Sequence, residues 1–190
     1  MAKRYRFKIK LNNITKPPVW RKIEVPSTLT FKKFSDAIQQ AMGWWGEHCW
    51  QFSKKAYESP SITIPHESDW EKPIDARKTK IYSYFTTVGQ KMCYTYDFGD
   101  DWHHEVLLEE IADGNEEGCF VIAAKGKCPP EDCGGPWGYE HLKEVLADPK
   151  HEEYEEMVEW LELESGEEWD ANKADVKVGQ KIGEEDMDMF

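Results

Sequence analysis

The strongest constraint on the fold lies in the first 43 residues. Tyr5 to Leu11 (Tyr-Arg-Phe-Lys-Ile-Lys-Leu) alternates apolar and basic residues, the period-2 mark of a half-buried strand. After the turn residues Asn12-Asn13-Ile14-Thr15-Lys16-Pro17-Pro18, Val19 to Val25 alternates again and completes a hairpin. Pro26 stops it, and Ser27 or Thr28 is placed to cap a helix. In that helix Phe31, Phe34, Ile38, Ala41 and Met42 share one face, with Lys32, Lys33, Asp36, Gln39 and Gln40 outside and Gly43 at the end. A helix with one apolar face needs a sheet to cover it. The opening therefore predicts an α+β fold seeded by a β-β-α unit.

Later segments supply the remaining elements. His48–Phe52 reads as a third strand. Residues 54–80, punctuated by Pro60, Pro65 and Pro73, read as a long irregular connection with a short strand near Ser61–Ile64. Ile81–Phe85, Lys91–Asp97, Trp102–Glu109 and Cys119–Ala124 are further strand candidates. Phe98-Gly99-Asp100-Asp101 joins two of them in a hairpin. Two helices follow, Tyr139–Ala147 and His151–Leu163. The expected whole is a single α+β domain over residues 1–170. In it the β-β-α unit is completed by a curved mixed or antiparallel sheet, a β-grasp-like roll, with two C-terminal helices at one side. Residues 171–190 read as an acidic, loosely held tail.

Charge is uneven along the chain. The net charge is −13, yet residues 1–33 carry ten Lys/Arg against Glu24 alone, while residues 97–190 carry seven Lys against 29 Asp/Glu. So acidic a surface repels phosphate backbones. Nucleic-acid binding would have to use Lys3, Arg4, Arg6, Lys8, Lys10, Arg21 and Lys22. The simpler reading is that the basic half neutralises the acidic half, within the fold or across a homodimer. No apolar run approaches a membrane span of ~20 residues. The basic start lacks the apolar stretch of a secretory signal. Five cysteines, an odd number, point to a reducing cytoplasm and not to a disulfide framework.

Two segments concentrate the chemistry. One runs from Cys93 to Glu105 (CYTYDFGDDWHHE), the other from Cys128 to Tyr139 (CPPEDCGGPWGY). Asp97, Asp100, Asp101, His103 and His104 suit metal binding or acid–base work. The simpler reading is turn chemistry followed by a packed sheet face. Which face His104 takes depends on the hairpin register. Cys128 and Cys133 are spaced unlike a zinc pair and have no second pair, so neither metal nor cofactor is expected. Cys133 before a helix is a weak nucleophile candidate, opposed by Glu131, Asp132 and Glu140. Gly134-Gly135-Pro136-Trp137-Gly138 lacks the Lys-Ser/Thr of a phosphate-binding loop and reads as a structural turn.

The order of these pieces resembles the plasmid pRiA4b open-reading-frame-3-like family. The resemblance is carried by Lys16-Pro-Pro-Val-Trp-Arg21, Gly43-Trp…His48…Phe52, Tyr96–Glu105, Pro129–Tyr139 and Asp148-Pro…His151…Trp160-Leu. It covers roughly residues 3–175 and implies an α+β fold but no particular reaction. The family's characteristic residues fall on His48, Asp97, Gly99, Asp100, Trp102, His104, Pro129, Pro130, Glu131, Asp132, Gly134, Gly135, Gly138 and Tyr139.

The expected binding surface comprises His48, Asp97, Asp100, Trp102, His104, Glu131, Asp132, Cys133, Trp137 and Tyr139. The leading function is a cytoplasmic, non-enzymatic binding or adaptor module for a protein or peptide. The alternatives are a metal-dependent hydrolase using Asp97, Asp100, His104 and His48, and nucleic-acid binding through the basic N-terminal strands.

Overall fold

A computed structural model describes residues 2–115, 117–164 and 166–183. In chain order the elements are β1 (Lys3–Leu11), β2 (Trp20–Pro26), α1 (Phe31–Met42), β3 (Trp50–Ser53), β4 (Ile62–Thr63), β5 (Ile74–Asp75), a 3-10 turn (Ile81–Ser83), β6 (Lys91–Tyr96), β7 (Trp102–Asp113), β8 (Cys119–Lys125), α2 (Gly135–Ala147), α3 (Tyr154–Trp160) and β9 (Lys181–Ile182). The strands form one open sheet in the order β5-β4-β3-β6-β7-β1-β2-β8-β9. Every pairing is antiparallel except β4 with β5, so the sheet is mixed. The protein is a single α+β domain, as its opening residues predict.

The β-β-α unit forms for the reasons its pattern suggests. Helix α1 covers the inner face of the sheet. Phe34 lies 4.6 Å from Phe7 of β1 and stacks on Phe52 of β3 at 5.5 Å, ring centre to ring centre. Thr30, not Ser27 or Thr28, caps the helix: its Oγ1 accepts from the Lys33 amide at 3.3 Å. Gly43 ends it in the left-handed region at φ 91°, donating to the Gln39 and Gln40 carbonyls. Tyr94 of β6 ties the helix down with polar contacts, its hydroxyl lying 2.8 Å from both Ser35 Oγ and Gln39 Nε2.

Three local expectations change. Residues 81–85 form a helical turn instead of a strand. The Phe85 amide donates to the Ile81 carbonyl at 2.9 Å. The turn buries Ile81 and Phe85, four apart, and leaves Ser83 exposed along with Tyr82 and Tyr84, whereas strand alternation would have put Ser83 on the buried face. Helix α2 begins earlier, at Gly135, because Pro136 already has the φ of a first helical turn. Helix α3 is shorter than His151–Leu163. Asp148 forms a turn with Lys150 and His151 before it, and Glu162 at φ 53° breaks it after Trp160.

The described residues after 170, read from the sequence as a loose tail, are attached to the body at several points, among them the Gly183 amide, which donates to Gln40 Oε1 of α1 at 2.6 Å. The Lys127 amide donates to the Ala171 carbonyl, Asp175 pairs with Arg21, and β9 pairs with β8. The rest of that tail, residues 184–190, lies outside the described residues.

The basic N-terminal strand meets its countercharges inside the sheet. Arg6 bonds Glu24 of β2 and Glu110 of β7, each at 2.6 Å, and Lys22 pairs with Glu109 at 2.7 Å. Arg4 and Arg21 are buried. The cations required for nucleic-acid binding are thus largely engaged by β7, β2 and backbone carbonyls. Among the described residues no helix is long and apolar enough to cross a membrane.

Candidate functional site

The turn between β6 and β7 and the loop leading into α2 lie against each other. Strand β6 pairs with β7 so that Tyr96 faces Trp102 and Tyr94 faces His104. Five residues, 97–101, close the hairpin. Asp97 and Asp101 both take left-handed backbone, at φ 54° and 58°, and the Asp101 amide donates to the Asp97 carbonyl at 2.8 Å. Asp97 Oδ1 accepts from the Gly99 amide at 2.8 Å, the Asx-type turn that the sequence suggests. From the other side, the Gly134 amide donates to Asp100 Oδ2 at 3.1 Å.

Glycine is required where the two segments touch. Gly135 sits at φ 68°, and a Cβ there would lie 2.5 Å from the Asp100 carbonyl oxygen. Gly135→Ala should therefore force the loop off the turn and destabilise the protein by about 2 kcal/mol. The shift in the denaturant midpoint measures this, and an unchanged midpoint would show that the contact is slack.

Glu131 is the buried anchor of the loop. Its Oε1 accepts from the Tyr96 hydroxyl at 2.8 Å and from the Trp45 amide at 2.9 Å. The Trp44 indole donates to the Pro129 carbonyl at 3.0 Å. Burial raises the Glu131 carboxyl above its ordinary value, against the opposing pull of these donors. His48 faces three carboxylates. Its Nδ1 is 3.8 Å from Asp97 Oδ2, and its Nε2 is 3.4 Å from Asp132 Oδ1 and 3.9 Å from Glu131 Oε2.

Beside this cluster the same two segments line a cleft of about 680 Å³. Its walls include Asp100, Asp101, His103, Trp137, Glu140 and Asn13. Trp137 is 88% exposed, which is unusual for so large an apolar side chain.

Of the ten expected residues, His48, Asp97, Glu131 and Asp132 converge, while Asp100 and Trp137 line the neighbouring cleft. Of the other four, Cys133 is partly buried and three serve the interior. Trp102, His104 and Tyr139 are fully buried. His104 Nδ1 lies 3.1 Å from the Tyr94 carbonyl, and its ring packs on Trp44. Tyr139 donates to the Lys127 carbonyl at 2.7 Å. Burial pushes the Cys133 thiol up to about 12, with Asp100 adding to the effect, so no thiolate is available there.

The set His48, Asp97, Asp100 and His104 does not assemble. His104 takes the inner face of β7 and Asp100 turns to Gly134. Among the described residues, ligand atoms of His48, Asp97 and Asp132 lie close enough together to hold an ion. Asp101, His103, Glu140 and Asn13 were missed as cleft residues. The first two sit in the motif but needed the hairpin register to be placed, and nothing in the sequence marks Asn13.

Comparison with known proteins shows the family and agrees with the fold. The family model described as plasmid pRiA4b ORF-3-like protein matches residues 3–178. The chain belongs to that family. One member-like relative, "Uncharacterized protein y4hQ" of Sinorhizobium fredii (strain NBRC 101917 / NGR234), is 38% identical over 157 residues, covering 82% of this chain and 79% of the relative. A solved structure, the protein of unknown function MM3350 from Methanosarcina mazei Go1, is similar at TM-score 0.77 and 35% identity. That match covers 91% of this chain and 95% of the other. Both family segments of the site fall within the matched range.

Proposed function

We propose that the protein is a cytoplasmic binding module that recognises a basic stretch of a protein or peptide partner in the cleft between the β6–β7 turn and the Gly134–Trp137 loop. The observation that carries this reading is the exposed Trp137 ring beside Asp100, Asp101 and Glu140 in one concavity. An aromatic face flanked by carboxylates suits a guanidinium or ammonium group. The acidic half of the chain would speed the approach of such a partner. Five free thiols fit a reducing compartment.

Calorimetric titration with a hexa-arginine peptide tests the idea. Binding should weaken as salt rises. Trp137→Ala should weaken it roughly fivefold. Trp70, at least as exposed but in the β4–β5 connection, provides the control, and Trp70→Ala should leave binding unchanged. Equal effects of the two substitutions would reduce the attraction to overall charge and remove the cleft from the account.

A further inference from the structure

The His48 cluster is separate from the cleft and has its own chemistry. We propose that His48, Asp97 and Asp132, with Glu131 as a fourth oxygen donor, form a site for a divalent transition-metal ion. Ligand atoms of His48, Asp97 and Asp132 lie within 4.8 Å of one another. Around an ion with bonds near 2.1 Å they would need to stand roughly 3.0–3.5 Å apart. For an ion on His48 Nε2, the 3.4 Å separation from Asp132 Oδ1 already meets that and the 3.9 Å separation from Glu131 Oε2 needs a small contraction, while Asp97, whose 3.8 Å approach is to the other ring nitrogen, has to close in from within 4.8 Å. His48 lies in the stretch between α1 and β3.

An acidic group beside a histidine is common without an ion. Glu131 distinguishes this one. Its side chain is only 10% exposed, and Oε2 is buried with no hydrogen-bond partner among the described residues, although Oε1 has two. That oxygen lies 3.9 Å from His48 Nε2, on the side of the cluster. A buried carboxylate oxygen left without a donor costs free energy unless something cationic meets it. A divalent ion would satisfy it and offset the repulsion among three carboxylates. One imidazole with two or three carboxylate oxygens suits manganese, iron(II), cobalt or zinc over magnesium or calcium, and disfavours soft copper(I). Asp132 is 74% exposed at its side chain, which leaves the ion open to solvent or to a ligand on that side.

Cobalt(II) is a suitable probe because its visible absorption reports its ligands. Titrated into chelator-treated full-length protein, it should give a ligand-field band saturating at one equivalent. Asp132→Asn should weaken binding about tenfold or more. Asparagine tolerates the left-handed backbone of this exposed position (φ 56°), so folding should survive, and unchanged far-UV circular dichroism would verify that. His48→Gln should weaken binding at least as much and move the band. Wild-type affinity in both variants, or no band up to millimolar cobalt, would overturn the site and leave the group as a plain ion-paired histidine. Neither outcome depends on the peptide cleft, because Trp137 and Glu140 are not ligands.

Discussion

Replacing Arg21 with alanine is expected to destabilise the fold by about 3–5 kcal/mol, the largest single effect foreseen for this chain. Arg21 is fully buried, and its guanidinium uses every nitrogen. Nε donates to the Ala41 carbonyl at 2.8 Å, in the last turn of α1. Nη1 donates to the carbonyls of Trp20, Lys125 and Gly126, and Nη2 to Asp175 Oδ1 at 2.8 Å. One side chain thus joins β2, the end of α1, the end of β8 and the C-terminal segment. Removing it strands buried carbonyls and leaves Asp175 without its cation. Arg21→Lys should recover little, because a compact ammonium cannot span acceptors arrayed around a planar fork. The midpoint and slope of guanidinium unfolding measure both variants. A loss under about 1 kcal/mol for Arg21→Ala would mean that water replaces the guanidinium easily.

The second large effect is a loss of stability in acid centred on His104. Burial pushes this imidazole down to about 4, from an ordinary value of 6.5. The fold holds it neutral, so between those two values the unfolded chain binds the extra proton. Stability contributed by the neutral form is present above pH 6.5 and falls as the pH drops toward 4. The ceiling on that loss is roughly 3 kcal/mol, at about 1.4 kcal/mol per unit of pH. Glu131 acts with the opposite sign. Its raised carboxyl lets the folded state take up a proton before the unfolded chain does, which offsets part of the loss as the pH falls. Comparison with His104→Leu isolates the imidazole: between pH 6.5 and 4.5 its unfolding free energy should vary with a slope shallower by up to about one proton. Identical slopes would show that water or structural relaxation admits the charge on His104.

Both effects arise at residues that the sequence presents ambiguously. Arg21 falls in the alternating run Val19–Val25 at a position that period 2 assigns to the same face as Ile23 and Val25. Taken as one of seven basic residues, it looks like part of a cationic surface. In the fold it faces inward with its neighbours, as the alternation itself requires. His104 is similar. The turn of five residues sets Tyr96 opposite Trp102, and the two-residue period then sends Trp102, His104, Val106 and Leu108 inward while His103 and Glu105 face out. A loop one residue longer or shorter would have exposed His104 beside Asp97.

What the sequence determined by itself was local and periodic. The hairpin, the apolar face of α1 with its terminating Gly43 and the β6–β7 pairing follow from short-range spacing. Such spacing is set by backbone geometry, which the chain carries everywhere. The tertiary structure alone decided that the two dense segments lie together, that His48 meets Asp97 and Asp132, that Glu131 accepts from the Tyr96 hydroxyl and the Trp45 amide, and that Asp175 reaches Arg21. Those pairs lie between 35 and 154 positions apart. Their meeting depends on how the sheet orders its strands, a free-energy balance over the whole molecule that no short stretch of residues encodes.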